Sequence, residues 1–276
     1  MTRQHVLNPD LIFRVFKYTV YGLLTFNIFL FFQEESLATQ QTFSQGMNVS
    51  NIIEGFAATI DTVAWVVLLL MFEFETYVLS QQTLQKPKVK FSFVVLRTLS
   101  YGFILYAFYG YVSKILFTYN ISPFVVSDIC ELVGQGFSSI QNLDEYPLLD
   151  LQSCSRLQGQ ELLKLNDQQV LGSYGEWQSI QRLAWVDAIN SITWIIVVLV
   201  LEIDVWLQVR ERFYGTYRLV SKVVKTVLYS ILFLAATYWG ILGDFLDFWD
   251  AFMWLVAFVF IELNIFKWQQ QTEHQD

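Results

Sequence analysis

The chain has 276 residues and a formal net charge of −8; 54% of its residues are apolar, 17% aromatic and only 15% charged. That composition, with a mean hydropathy of +0.41, excludes an ordinary soluble domain, and the lack of a basic patch interleaved with aromatics argues against a nucleic-acid partner. Several apolar runs reach the roughly 20 residues that cross about 30 Å of hydrocarbon, so the sequence predicts an all-α integral membrane protein whose first partner is the lipid bilayer.

A polar tail, residues 1–10, leads into a first span at 11–32. Arg14 and Lys17 lie inside this run and no convincing small-residue cleavage site follows, so it reads as a span rather than a signal peptide. A loop (33–51) precedes span two (55–79), and a linker (80–90) carrying Pro87 and three lysines precedes span three (91–117). A long polar insertion, 118–181, separates it from span four (183–207). A basic linker (208–222), span five (223–242), a short turn, span six (250–268) and a tail (269–276) complete the chain. Of seventeen lysines and arginines, all but Lys114, Arg156, Lys164 and Arg182 fall on one side of this arrangement, which leaves thirteen on that side. The positive-inside rule then places both termini in the cytoplasm and the insertion on the outer or periplasmic face of a plasma or bacterial inner membrane. There Cys130 and Cys154 are expected to form a disulfide, closing a loop of about 25 residues worth roughly 3 kcal/mol in the chain-entropy account.

Internal repetition organises the spans. Asp61, Trp65, Glu73 and Glu75 recur at identical spacing as Asn190, Trp194, Glu202 and Asp204, and again as Asp250, Trp254, Glu262 and Asn264. The alternate spans carry a second pattern, a cation four residues before a tyrosine that is followed by a small residue: Lys17 and Tyr21-Gly22, Arg97 and Tyr101-Gly102, Lys225 and Tyr229-Ser230. The prediction is three pseudo-repeated helical hairpins, 11–79, 80–207 and 208–268, the second interrupted by a disulfide-closed outer-face insertion.

Counting 1.5 Å per residue puts all three cations and all three glutamates roughly 10 Å inside the inner end of their helices. Pairing is the expected solution for charges at that depth. Lys17 is expected to meet Glu73, Arg97 to meet Glu202 and Lys225 to meet Glu262, with pairing to the neighbouring hairpin equally open to the sequence. Glu75 and Asp204 exceed this count, and two residues apart on a helix is about 200°, so Glu73 and Glu75 cannot face one partner. Either the surplus acids reach the cytoplasmic headgroups, or they face the bundle interior and hold a monovalent cation or a proton. The small residues beside the tyrosines are expected to admit close helix approach. Trp65, Trp194 and Trp254 are expected to pack between helices or at the interface, and Asp61, Asn190 and Asp250 to cap their helices.

Histidine occurs only as His5 and His274, both in the tails. No metal site, cofactor motif, catalytic triad, phosphate loop or dinucleotide fingerprint is visible, so the chain is not expected to be an enzyme or to carry a cofactor. All four prolines fall outside the spans, and no breaker interrupts a helix near the midplane as transporters often require. The leading functional reading is therefore a non-catalytic structural or accessory component of a membrane complex or homo-oligomer, its charged layer serving as staples. The alternatives are an ion- or proton-coupled transporter or channel using Glu73, Glu202 and Glu262, and a membrane sensor whose insertion binds a ligand.

Overall fold

The computed structural model describes residues 9–42, 52, 55–84, 86–166, 168–209, 215–242 and 245–258. Helix α1 (Pro9–Thr42) runs 34 residues. It passes the end of its apolar run because Gln33, Glu34 and Glu35 are themselves good helix formers. Helix α2 (Ala57–Glu73) continues into a five-residue π-helical turn, Phe74–Val78. A one-turn helix, Gln81–Leu84, leads to α3 (Pro87–Tyr119), which opens on a proline, tolerated there because the first helical N–H has no partner to lose.

The insertion follows. Its strands are β1 (Ile121–Phe124), β2 (Ser138–Ser139), β3 (Leu162–Leu165) and β4 (Val170–Ser173), with the short helix α4 (Leu151–Leu157) between β2 and β3. They form one sheet in the order β1-β3-β4-β2, β3 antiparallel to both neighbours and β2 parallel to β4. The all-α expectation therefore holds for the long helices and not for the insertion. Ile129, Leu149, Leu157, Leu162 and Leu171 form its core around the Cys130–Cys154 disulfide. The structured insertion is also shorter than 118–181, because α3 runs to Tyr119 and the next long helix begins at Tyr174.

That helix, α5 (Tyr174–Val209), is 36 residues long, and α6 (Thr216–Leu242) is 27. A last helix, α7, covers 245–258. Among the described residues, four helices (α1, α3, α5 and α6) are long and apolar enough to cross a membrane. Their outward faces carry large apolar side chains, among them Phe26, Leu105, Leu116, Phe233 and Leu234, each more than half exposed. Continuous exposed apolar surface of this kind belongs against lipid. Helix α1 packs on α2, α2 on α3, α3 on α5 and α5 on α6.

Two cores result. The middle of the helices is filled around Trp65, Trp194 and Trp254. A second core joins helices to insertion, where Trp177 of α5 is 1% exposed and donates its indole N–H to the Leu163 carbonyl at 3.1 Å. Gly172 of β4 is pressed against this junction. A Cβ added there would stand 2.4 Å from Ile140 Cδ1 and 3.2 Å from Trp177 Nε1.

Candidate functional site

The repeated residues build two polar layers separated by the tryptophan cluster. At the end of the helices away from the insertion lies the layer of cations and carboxylates. Lys17 Nζ on α1 stands 2.6 Å from Glu73 Oε1 at the end of α2, the partner expected from the sequence, with both side chains at most 5% exposed. The Tyr18 hydroxyl donates to the same oxygen at 2.9 Å and Tyr21 to Glu73 Oε2 at 3.5 Å. Three groups thus share one buried carboxylate, which answers the requirement that a buried charge be both paired and hydrogen-bonded.

The pairing expected of Arg97 with Glu202 is replaced, while that of Lys225 with Glu262 falls on a residue outside the described ones. Arg97 meets Glu75 at 2.6 Å, not Glu202, and Glu202 instead accepts from the Tyr101 hydroxyl at 2.9 Å. Lys225 meets Asp204 at 3.1 Å, and Ser221 donates to the same Asp204 oxygen at 2.6 Å. Glu262 and Asn264 lie outside the described residues. The reason is angular. Glu73 points from α2 toward α1, and Glu75, within the π turn, points toward α3. The acids that seemed surplus are therefore the partners of Arg97 and Lys225. Tyr229 packs against the central core. Among the described residues no close helix approach occurs at the two glycines, since a Cβ added at Gly22 or Gly102 would meet none of them within 4 Å.

The tryptophans pack with one another. The Trp65 ring lies 6.4 Å from Trp194 and 6.2 Å from Trp254, while Phe258 sits 4.5 Å from Trp194 and 6.4 Å from Trp254.

On the insertion side of this cluster lies a cavity of about 60 Å³, lined among the described residues by seven carboxylate residues and one cation, Lys114. None of Asp61, Asn190 and Asp250 begins its helix. Asp61 is four residues past Ala57, Asn190 is deep within α5, and Asp250 lies inside α7. All three line the cavity. The cap of α2 comes from α1: Glu35, 2% exposed, accepts from the Ala58 amide at 2.8 Å, the Thr59 amide at 2.9 Å and the Thr59 hydroxyl at 2.6 Å. Asn27 Nδ2 donates to Asp250 Oδ1 at 2.8 Å, and Trp239 Nε1 to Asp187 Oδ1 at 3.3 Å. Lys114 Nζ holds Asp144 of the insertion at 2.6 Å. Two cavity oxygens stand apart: Asp61 Oδ1 and Asn190 Oδ1 are shut off from solvent and accept no hydrogen bond. Among the described residues no group of three His, Cys, Asp or Glu is spaced to hold a metal ion.

Sequence reasoning missed Glu35, Lys114, Asp144 and Asp187 as members of a site. Glu35, Lys114 and Asp187 left a signal, each being a charge at or near the insertion-side end of an apolar run, whereas Asp144, inside the polar insertion, left none. What the sequence hides is that these ends converge under the insertion.

Helices long and apolar enough to cross the bilayer, with lipid-suited outer faces, define a helical membrane protein. Comparisons of the chain with protein families, with curated proteins and with solved structures find no match.

Proposed function

We propose that the protein is a six-span, non-catalytic membrane component that assembles with partner subunits or with itself, and that its inner layer of charges is a set of staples fixing helix register. The supporting observation is the matching of charges: each of Lys17, Arg97 and Lys225 has a carboxylate within reach on an adjoining helix. In this reading both termini are cytoplasmic, the insertion is outside, and the three hairpins close around the tryptophans.

The pairings follow a cyclic rule. Arg97 of the second hairpin meets Glu75 of the first, and Lys225 of the third meets Asp204 of the second. By the same rule Lys17 of the first would meet position 264 of the third, where the chain has asparagine. Lys17 turns to Glu73 of its own hairpin instead. Removing one partner of a buried pair costs about 3–5 kcal/mol, because the other charge is stranded. Glu73→Gln is therefore expected to lower the melting temperature in nanodiscs markedly, and Asn264→Asp added to it to recover most of the loss. Failure of the second change to rescue, with Lys17→Met rescuing, would leave the staple and remove the cyclic arrangement.

Assembly is tested by gentle solubilisation followed by mass spectrometry of co-migrating chains. A monomer without companions counts against it. Flux across proteoliposomes separates the conducting alternative: ion flux in the wild type that disappears in a stably folded Glu202→Gln variant would make the layer a pathway.

A further inference from the structure

We propose that the cavity beneath the insertion binds a small organic cation bearing N–H donors, a primary ammonium of the methylammonium class. The site lies on the opposite side of the tryptophan cluster from the paired layer and does not depend on its role. Three observations converge on this chemistry. Among the described residues, seven carboxylate residues and one lysine line the cavity, a balance that favours a cation. Asp61 and Asn190 both line the cavity, and each has one oxygen, Oδ1, that is buried without a donor; an unmet buried acceptor is costly enough that it calls for an N–H to fill it. Trp65, Trp194 and Trp254 also line the cavity, and aromatic faces attract ammonium groups. A bare metal ion fits less well, since among the described residues the acids nowhere converge as a ligand set.

Size and access agree. About 60 Å³ holds a methylammonium-sized group and no bulky head. Glu34 and Asp144 line both this cavity and a wider groove of about 780 Å³ between α1, the insertion and α7, which supplies a route of entry. Several of these acids already hold internal partners: Glu35 caps α2, Asp144 holds Lys114, Asp187 accepts from Trp239, Asp250 accepts from Asn27, and the Asp61 carboxyl accepts from Trp65 and Tyr111 through its other oxygen. The acceptors without a donor that the incoming cation is offered are Asp61 Oδ1 on α2 and Asn190 Oδ1 on α5.

The test is titration of the full-length protein in nanodiscs with methylammonium chloride, read by calorimetry and by the shift in melting temperature, at constant ionic strength. Saturable binding is expected, with a rise in melting temperature as ligand fills the folded state. Tetramethylammonium, which has no N–H, is expected to bind at least tenfold more weakly, and sodium and calcium to give no saturable shift. Asn190→Ala is the decisive variant. It removes an acceptor without a partner, so the ligand-free melting temperature should stay level or rise, while methylammonium binding falls about ten- to a hundredfold, the weight of a charge-assisted hydrogen bond. Asp61→Asn keeps the oxygen and loses the charge, and should weaken binding by a similar factor. The proposal is overturned if methylammonium shows no saturable binding, if tetramethylammonium or a metal ion binds as well, or if both variants bind as the wild type does.

Discussion

Glu73 and Glu75 show how far two residues can diverge: one serves α1 and the other α3, because successive acids on a helix point to opposite sides. Asp150 shows the same dependence of role on local geometry outside the membrane. It is the N-cap of α4, its carboxylate accepting from the Gln152 amide at 3.1 Å and the Ser153 amide at 2.7 Å, with the Ser153 hydroxyl donating to the same oxygen and also accepting from the Asp150 amide at 2.9 Å. The amide and hydroxyl of Ser153, ahead of the Gln152 amide, hold this carboxyl below the usual aspartate range. A depressed pKa stabilises the fold above the unfolded value and gives that stability up as pH falls through the folded one. Amide protection factors at Gln152 and Ser153 are therefore expected to be level near neutrality and to fall in acid, below the ordinary aspartate pKa. Asp150→Asn, which keeps the acceptor, should flatten that dependence, and Asp150→Ala should lose the protection at every pH. The site was legible to this extent: the charge pattern named Lys17 and its partner Glu73, and the acids Glu75 and Asp204, but not their partners. Spacing gives depth along a helix well and azimuth poorly, and the π turn carrying Glu75 shifts azimuth again.

Among the elements, helices were legible and strands were not. Apolar runs of twenty residues mark helices without ambiguity, whereas strands of two to four residues inside a polar segment leave no usable alternation. Glycine illustrates the same contrast. The repeated Tyr21-Gly22 and Tyr101-Gly102 pairs predicted close packing, yet both glycines face open space, while Gly172, in no motif, is the crowded one. Gly22→Ala and Gly102→Ala are expected to be neutral or to stabilise by up to about 1 kcal/mol, from helix propensity alone. Gly172→Ala must displace Ile140, itself 2% exposed, against a Trp177 fixed to the Leu163 carbonyl. Overpacking of that kind costs about 1–3 kcal/mol. Thermal melts of the three variants check the order, and a Gly172→Ala protein as stable as Gly22→Ala would mean that the insertion rests loosely on α5.

At the scale of the whole molecule, α2 decides much of the topology. Helix α2 has 17 residues, short for a span by itself, but the five-residue turn Phe74–Val78 continues it to 22 residues in all (17 + 5), roughly 30 Å at helical rise. If α2 crosses, the Gln81–Leu84 turn lies across the membrane from the insertion, beside Lys86, Lys88 and Lys90, where basic residues are retained on the cytoplasmic side. If it does not, the turn and the insertion's approach through α3 change sides relative to the amino-terminal tail. Single cysteines at Thr2, Gln82, Gln160 and Gln275 separate these cases, since the native pair is closed as a disulfide and does not compete for label. In sealed right-side-out vesicles an impermeant maleimide is expected to label Gln160→Cys at once, and the other three only after the membrane is opened. Labelling of Gln82→Cys from outside would remove α2 as a span. Labelling of Gln275→Cys but not Thr2→Cys would make the number of crossings odd, and the third hairpin, with its partner position for Lys17, would then be open.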